Sequence, residues 1–205
     1  WMQNSSQGSD YIWCAYFWDL YYKWIKLANE IISIIGEVDE NTSEDAIKVL
    51  GQAYAYRAMF YIDLARLYEP KTNKYTTITS EMMGLPVPIV TEKTTEEDAK
   101  FNPRATREEM YKFIFSDLAK AEEYLANAVE SYTTPGLTAD YGLYARAYLE
   151  LGATYAEYPN QVPTPAVYDM TSERAYAEAA KYARMAINRG MHSPLTQSQW
   201  EDPRN

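Results

Sequence analysis

The sequence predicts an all-α protein of stacked helical hairpins interrupted by long inserted loops. Three observations carry that expectation. Two stretches repeat one helix signature: Tyr61, Leu64, Ala65 and Tyr68, then Tyr148, Leu151, Gly152 and Tyr155. Positions i, i+3, i+4 and i+7 share one helix face, and the small residue lets a partner helix approach closely. Candidate partner helices follow each stretch. Ala179, Ala183 and Ala186 place small residues at matching offsets, and Ile114, Leu118 and Ala121 do so more loosely. Finally, strand signal is weak along the whole chain.

These offsets match the aromatic-x2-Leu-Gly-x2-Tyr half of a tetratricopeptide (TPR) repeat, so the hairpins are expected to be TPR-like. They are not regular. Roughly nine residues separate the two matched positions in a ~34-residue repeat. Here Ala179 stands 24 positions after Tyr155 and Ile114 stands 46 after Tyr68. The excess must be inserted loop, about Glu69 to Pro103 and about Glu157 to Met170. Long insertions in a compact domain are usually functional.

Five helices are expected in order. The first runs from about Ser9 to Ile35, with an apolar ladder of Leu20, Trp24, Leu27, Ile31 and Ile35 and Gly36 as its stop. The second runs from about Thr42 to Tyr68, with Asn41 as N-cap, Glu44 as the reciprocal acid and Pro70 at its end. Its buried face is Ile47, Leu50, Tyr54, Ala58, Tyr61, Leu64, Ala65 and Tyr68. The third opens on the capping-box sequence Thr106-Arg107-Glu108-Glu109 and continues to about Ala128. The fourth follows Thr138 and ends near Tyr158. The fifth follows Ser172 and ends at Gly190, a suitable C′ residue. Leu85 to Val90 is extended, and Pro86 and Pro88 make it a surface strap rather than a strand.

Composition bounds the function. The 205 residues suffice for one domain with a sizeable core, and the span 1–205 is expected to be a single helical domain. A formal charge of −10 argues against nucleic acid and anionic lipid as partners. No apolar run reaches the ~18 residues of a membrane span. Cys14 is the only cysteine, so no internal disulfide forms, and it reads as a small buried hydrophobe. With His192 the only histidine, the usual zinc ligand sets and His-based nucleophilic triads lack members. No Gly-rich phosphate loop is present, and no metal or other cofactor is expected. The acids Glu96, Glu97 and Asp98 could suggest a glycosidase pair, but adjacent acids in a polar loop read as a solvated face. No catalytic residue is assigned.

Twenty tyrosines and five tryptophans are the unusual counts. Most sit at helical spacing and are expected to pack between helices. Those outside that pattern are candidate platforms for sugar rings, which offer C–H faces and hydroxyl rims to an amphipathic aromatic. They are Trp1, Tyr11, Trp13 and Tyr75, with Tyr158 and Tyr168 in the second insertion. Arg57 lies on the seam of the second helix, and a buried Arg needs a carboxylate. Asp63 and Asp117 are the acids nearest to seams, and the expected bridge is Arg57 with Asp117.

The run from Gly51 to Tyr68, with Arg57-Ala58, its aromatics and Asp63-Leu64-Ala65-Arg66-Leu67-Tyr68, resembles the signature helix of SusD/RagB-type nutrient-binding proteins. Gly84-Leu85-Pro86-Val87-Pro88 resembles the segment that follows it. Thr106 to Tyr111 with Asp117-Leu118, Tyr141 to Leu149, and Ala179 to Gly190 followed by Ser193-Pro194-Leu195 resemble later elements in the family's order. The resemblance implies a TPR-like scaffold in a non-enzymatic, lipid-anchored protein on the outer-membrane surface. Such a protein would bind glycans, or sometimes peptides, and partner a SusC-like TonB-dependent transporter. Members are commonly more than twice as long, so this chain is expected to be a segment of a longer protein, without its lipid anchor and much of the ligand-binding part. Two other readings remain open: a TPR-like scaffold for a protein or peptide, and part of a helical glycoside hydrolase.

Overall fold

A computed structural model describes residues 12–71, 77–131, 133–157, 170–190 and 196–202. The chain forms α1 (Ile12–Ile35), α2 (Glu44–Tyr68), α3 (Glu96–Lys100), α4 (Arg107–Leu125), α5 (Leu137–Glu157), α6 (Ser172–Arg189) and α7 (Gln197–Glu201), with a 3-10 turn at Ser80–Met82. No strand occurs among the described residues. The two expected hairpins are α2 with α4 and α5 with α6, and these pairs make the most extensive contacts. Helix α1 lies along α2, while α4 joins the hairpins by packing on α5.

Both repeated signatures do what their spacing requires. Tyr61, Leu64 and Ala65 are buried against Met110, Ile114 and Leu118 of α4, and Tyr61 meets Phe113 edge-on at 5.3 Å. Leu151 is fully buried with Ala147 and Ala175. A Cβ placed on Gly152 would stand 3.0 Å from the Tyr176 ring and 3.2 Å from Ala175 Cβ, so this glycine permits the close approach of α6. Aromatic packing continues across the hairpins. Tyr144 stacks on Tyr182 at 4.3 Å, and Phe115 stacks on Tyr148 at 4.4 Å. One run of rings thus links α4, α5 and α6, which accounts for several of the tyrosines.

Helix ends match the sequence in part. Thr106 forms the expected capping box with Glu109, and Gly36 closes α1 with φ +69°. The N-cap of α2 is Ser43, not Asn41; its hydroxyl accepts from Ala46 N at 3.2 Å. Asn41 instead lies in the preceding turn, its N–H donating to Asp39 Oδ1. The turn closes two residues later than expected because Thr42 also bonds to Asp39. Helix α6 stops at Gly190, but with φ −58°, so no left-handed cap is used.

Two larger corrections concern α1 and the first insertion. The buried face of α1 is Ile25, Ala28, Asn29 and Ile32, not the expected ladder. Trp24 and Leu27 of that ladder are exposed, because α1 is apolar on two faces and α2 covers only one. In the insertion, Glu96 to Lys100 is the short helix α3, capped reciprocally by Thr95 and Asp98, rather than a loop. The strap 84–92 is not a surface feature at its centre, where Val87 is fully buried.

Candidate functional site

The strap is held in place by polar side chains of the helices it crosses. Tyr61, buried on α2, accepts a hydrogen bond from Val90 N at 2.8 Å and donates to Val90 O at 3.0 Å. Asn29 of α1 donates to the same carbonyl, and Tyr22 donates to Pro88 O at 2.6 Å. Arg104 donates to Pro86 O, and Ala105 N donates to Val87 O at 3.0 Å. These bonds supply the ladder that the prolines deny the strap.

Arg57 organises the same region. Its Nε and Nη2 donate to the two oxygens of Asp117 at 2.7 and 2.8 Å, as expected for the bridge between helices. Its Nη1 donates to Asn29 Oδ1 at 2.6 Å and to Glu92 Oε2 at 2.7 Å. The guanidinium also sits between the rings of Phe113 and Tyr54, at 5.0 and 5.3 Å. Burial alone would lower the Arg57 pKa, but the Asp117 and Glu92 carboxylates raise it, so the charge is permanent. Burial likewise acts to raise the Glu92 carboxyl, and Arg57 outweighs it and holds Glu92 below its ordinary value. With 3% of Arg57 exposed, this cluster is a structural joint of α1, α2, α4 and strap.

The joint fixes two surfaces. One is a cleft of about 640 Å³ between the end of the strap and α3, lined by Ile89, Thr91, Lys93, Glu97, Phe101 and Asn102 among others. Its volume is that of a small-molecule site. The other is a groove of about 450 Å³ between α1 and α2, walled by Trp24, Leu27, Ile31, Tyr56, Met59 and Phe60. Trp24 and Phe60 pack at 5.2 Å and Tyr56 stacks on Phe60 at 6.0 Å, giving the groove an aromatic floor.

Of the site residues named from sequence, Trp1, Tyr11 and Tyr75 lie outside the described residues, as do Tyr158, Tyr168 and His192. Trp13 stands on the first turn of α1, 67% exposed and edge-on to Tyr16 at 6.1 Å. It lies on α1, within the span expected for the first helix. Sequence reasoning missed Phe101, whose signal was its place among polar residues after Lys100. It placed Trp24 on the apolar ladder of the first helix, where the structure leaves it exposed. Cys14 is half-buried, and its carbonyl accepts from the Tyr68 hydroxyl at 2.5 Å. Among the described residues, no group of three or more acidic, histidine or cysteine side chains could hold a metal. None of the described helices is long and apolar enough to cross a membrane. Asp98 is taken up by its capping box, whose Thr95 hydroxyl and N–H hold the carboxyl below its ordinary value. Asp98 of the acid run therefore serves α3.

Comparisons with known proteins agree with this architecture. The model of a protein family described as "Starch-binding associating with outer membrane" (SusD-like_3) matches residues 1–149. The SusD-like protein P38 of Formosa agariphila is 30% identical over 116 residues, which are 57% of this chain and 19% of that protein. The fold is similar to the crystal structure of a SusD-like carbohydrate-binding protein from Bacteroides vulgatus, with TM-score 0.64 and 22% identity over 90% of this chain and 33% of that one. It is similar also to a SusD superfamily protein from Bacteroides thetaiotaomicron, with TM-score 0.63 and 23% identity over 89% of this chain and 34% of that one. The chain spans about a fifth of the length of the curated relative and about a third of the solved structures.

Proposed function

The chain belongs to the SusD-like family, and on that premise we propose that it is the helical scaffold of a glycan-binding protein of the outer-membrane surface. The observation that carries this reading is the family match over 149 residues, under a description that joins starch binding to the outer membrane. The 205 residues form a single TPR-like domain within a longer protein. That protein is lipid-anchored, captures glycan outside the cell and hands it to a SusC-like TonB-dependent transporter. It does not cleave what it binds. The buried Arg57 joint supports this division of labour, because it uses the buried arginine of the signature helix for rigidity rather than chemistry.

A second reading, a TPR-like scaffold for a peptide or protein, is favoured by the apolar groove between α1 and α2. Affinity purification of the family-length protein from its native membrane separates the two. The glycan-uptake reading expects a TonB-dependent transporter as the stoichiometric partner and retention of the complex on an immobilised polysaccharide. A soluble protein partner with no polysaccharide retention would favour the scaffold reading instead.

A further inference from the structure

The cleft beside α3 has the chemistry of a neutral saccharide site. We propose that it is a saccharide subsite in which a pyranose ring stacks on Phe101 and its hydroxyls bond to Lys93, Glu97 and Asn102. The proposal rests on the glycan-binding reading above and gives that reading a place on this chain.

Phe101 is 85% exposed, and it terminates α3 with its N–H donating to Asp98 O at 3.2 Å. A lone exposed apolar ring is ordinary. What distinguishes this one is its surroundings. It borders the same cleft as Lys93 and Glu97, and neither of those side chains has a hydrogen-bond or ion-pair partner among the described residues. Asn102 donates from Nδ2 to Ile89 O at 2.7 Å, which turns one end of its amide to the strap and leaves Oδ1 as an acceptor. The lining thus combines an aromatic ring with an ammonium donor and carboxylate and amide acceptors.

The frame beneath these groups is fixed. Thr91 N donates to Thr94 Oγ1 at 2.9 Å, Thr95 and Asp98 cap α3 reciprocally, and Glu92 is tied to Arg57. A site built on such a frame loses little freedom on binding. The mixture of groups narrows the ligand class. An anion would meet Glu97, a divalent cation would meet Lys93, and a wholly apolar ligand would strip water from both charges without replacing its hydrogen bonds. A pyranose supplies C–H edges for the ring and hydroxyls that can donate and accept.

The test is a ¹H–¹⁵N titration of the 205-residue chain with maltoheptaose, cellohexaose and xylohexaose as probes. The expected result is saturable shift changes confined to residues 89–103 with at least one probe. Phe101→Ala should raise Kd about tenfold, the scale of one aromatic contact, while Phe101→Trp restores binding. The exposure of the ring means that neither substitution should move the melting temperature. Binding with shifts elsewhere and an unchanged Kd in Phe101→Ala would overturn the subsite and leave the glycan reading standing. The absence of shifts with all three probes would also overturn it, while the glycan reading is decided separately on the family-length protein.

Discussion

Arg57 and Asp117 meet in a two-pronged fork across the α2–α4 hairpin, with both partners 3% exposed at the side chain. A bidentate pair in a dry seam fixes the register of the two helices as well as their separation. Its value lies in the pairing: removing one member leaves the other charged and buried. Arg57→Leu is expected to cost about 3–5 kcal/mol in urea unfolding. Adding Asp117→Leu to it should recover part of that loss. Normal unfolding with impaired glycan binding would instead assign Arg57 to a ligand.

Gly152 lies where α6 packs tightly on α5. A leucine there must displace the Tyr176 ring and Ala175. Gly152→Leu is expected to destabilise the chain by about 1–3 kcal/mol through overpacking. A thermal melt checks this, and an unchanged midpoint would deny the glycine a packing role.

Tyr61→Phe removes one hydroxyl that both donates to and accepts from Val90. The strap loses two bonds while the helix keeps its ring. The expected cost is about 1 kcal/mol, since the part-buried Val90 N–H loses its partner while Val90 O keeps its bond from Asn29. Hydrogen exchange should locate the loss at the strap, with faster exchange at Val90 than in α2 or α4.

Asp140 gives the chain a titration above neutrality. It is fully buried on the first turn of α5, neither carboxyl oxygen has a hydrogen-bond partner among the described residues, and burial, then the Glu122 charge, pushes it up to about 8. Tyr144 and Tyr141 beside it, and Tyr182 from α6, are raised chiefly by burial and stay neutral in this range. A carboxyl whose folded pKa exceeds its unfolded one contributes stability at low pH. That stability is full below about 4, falls as the pH rises, and is gone above about 8. Asp140→Asn should flatten this slope and be more stable than the parent at pH 9, on the order of 3 kcal/mol. Equal pH dependence of stability in the two proteins would contradict a protonated Asp140.

The helices and their pairing were legible because periodicity and burial obey the same geometry. Tyr61, Leu64 and Ala65 had one possible buried face, and the Arg57–Asp117 bridge followed from a charge on that face. The phase of α1 was not legible. With Trp18, Tyr21, Tyr22, Trp24, Ile25 and Leu27 nearly continuous, pattern cannot say which stripe α2 covers. Asn29 and Glu92 were missed as Arg57 partners because Asn29 lies on α1, whose buried stripe was not legible, and Glu92 ends a strap read as a surface feature. The cleft at Phe101 was hidden for the same reason. Its walls are assembled by the strap's bonds to Tyr61, Asn29 and Tyr22, and no local motif encodes them. The aromatic candidates were chosen for lying outside helical spacing, and that criterion passed over Phe101 and Trp24.

The central claim is that this scaffold serves a protein that binds glycan without breaking it. The direct measurement is calorimetric titration of the family-length protein with starch oligosaccharides and a panel of plant and microbial glycans, with each mixture then chromatographed over time. The expected result is saturable heat with at least one glycan, at a Kd between about 1 μM and 1 mM, and unchanged sugar lengths. Shorter sugars accumulating with time, or no heat with any glycan, would contradict it.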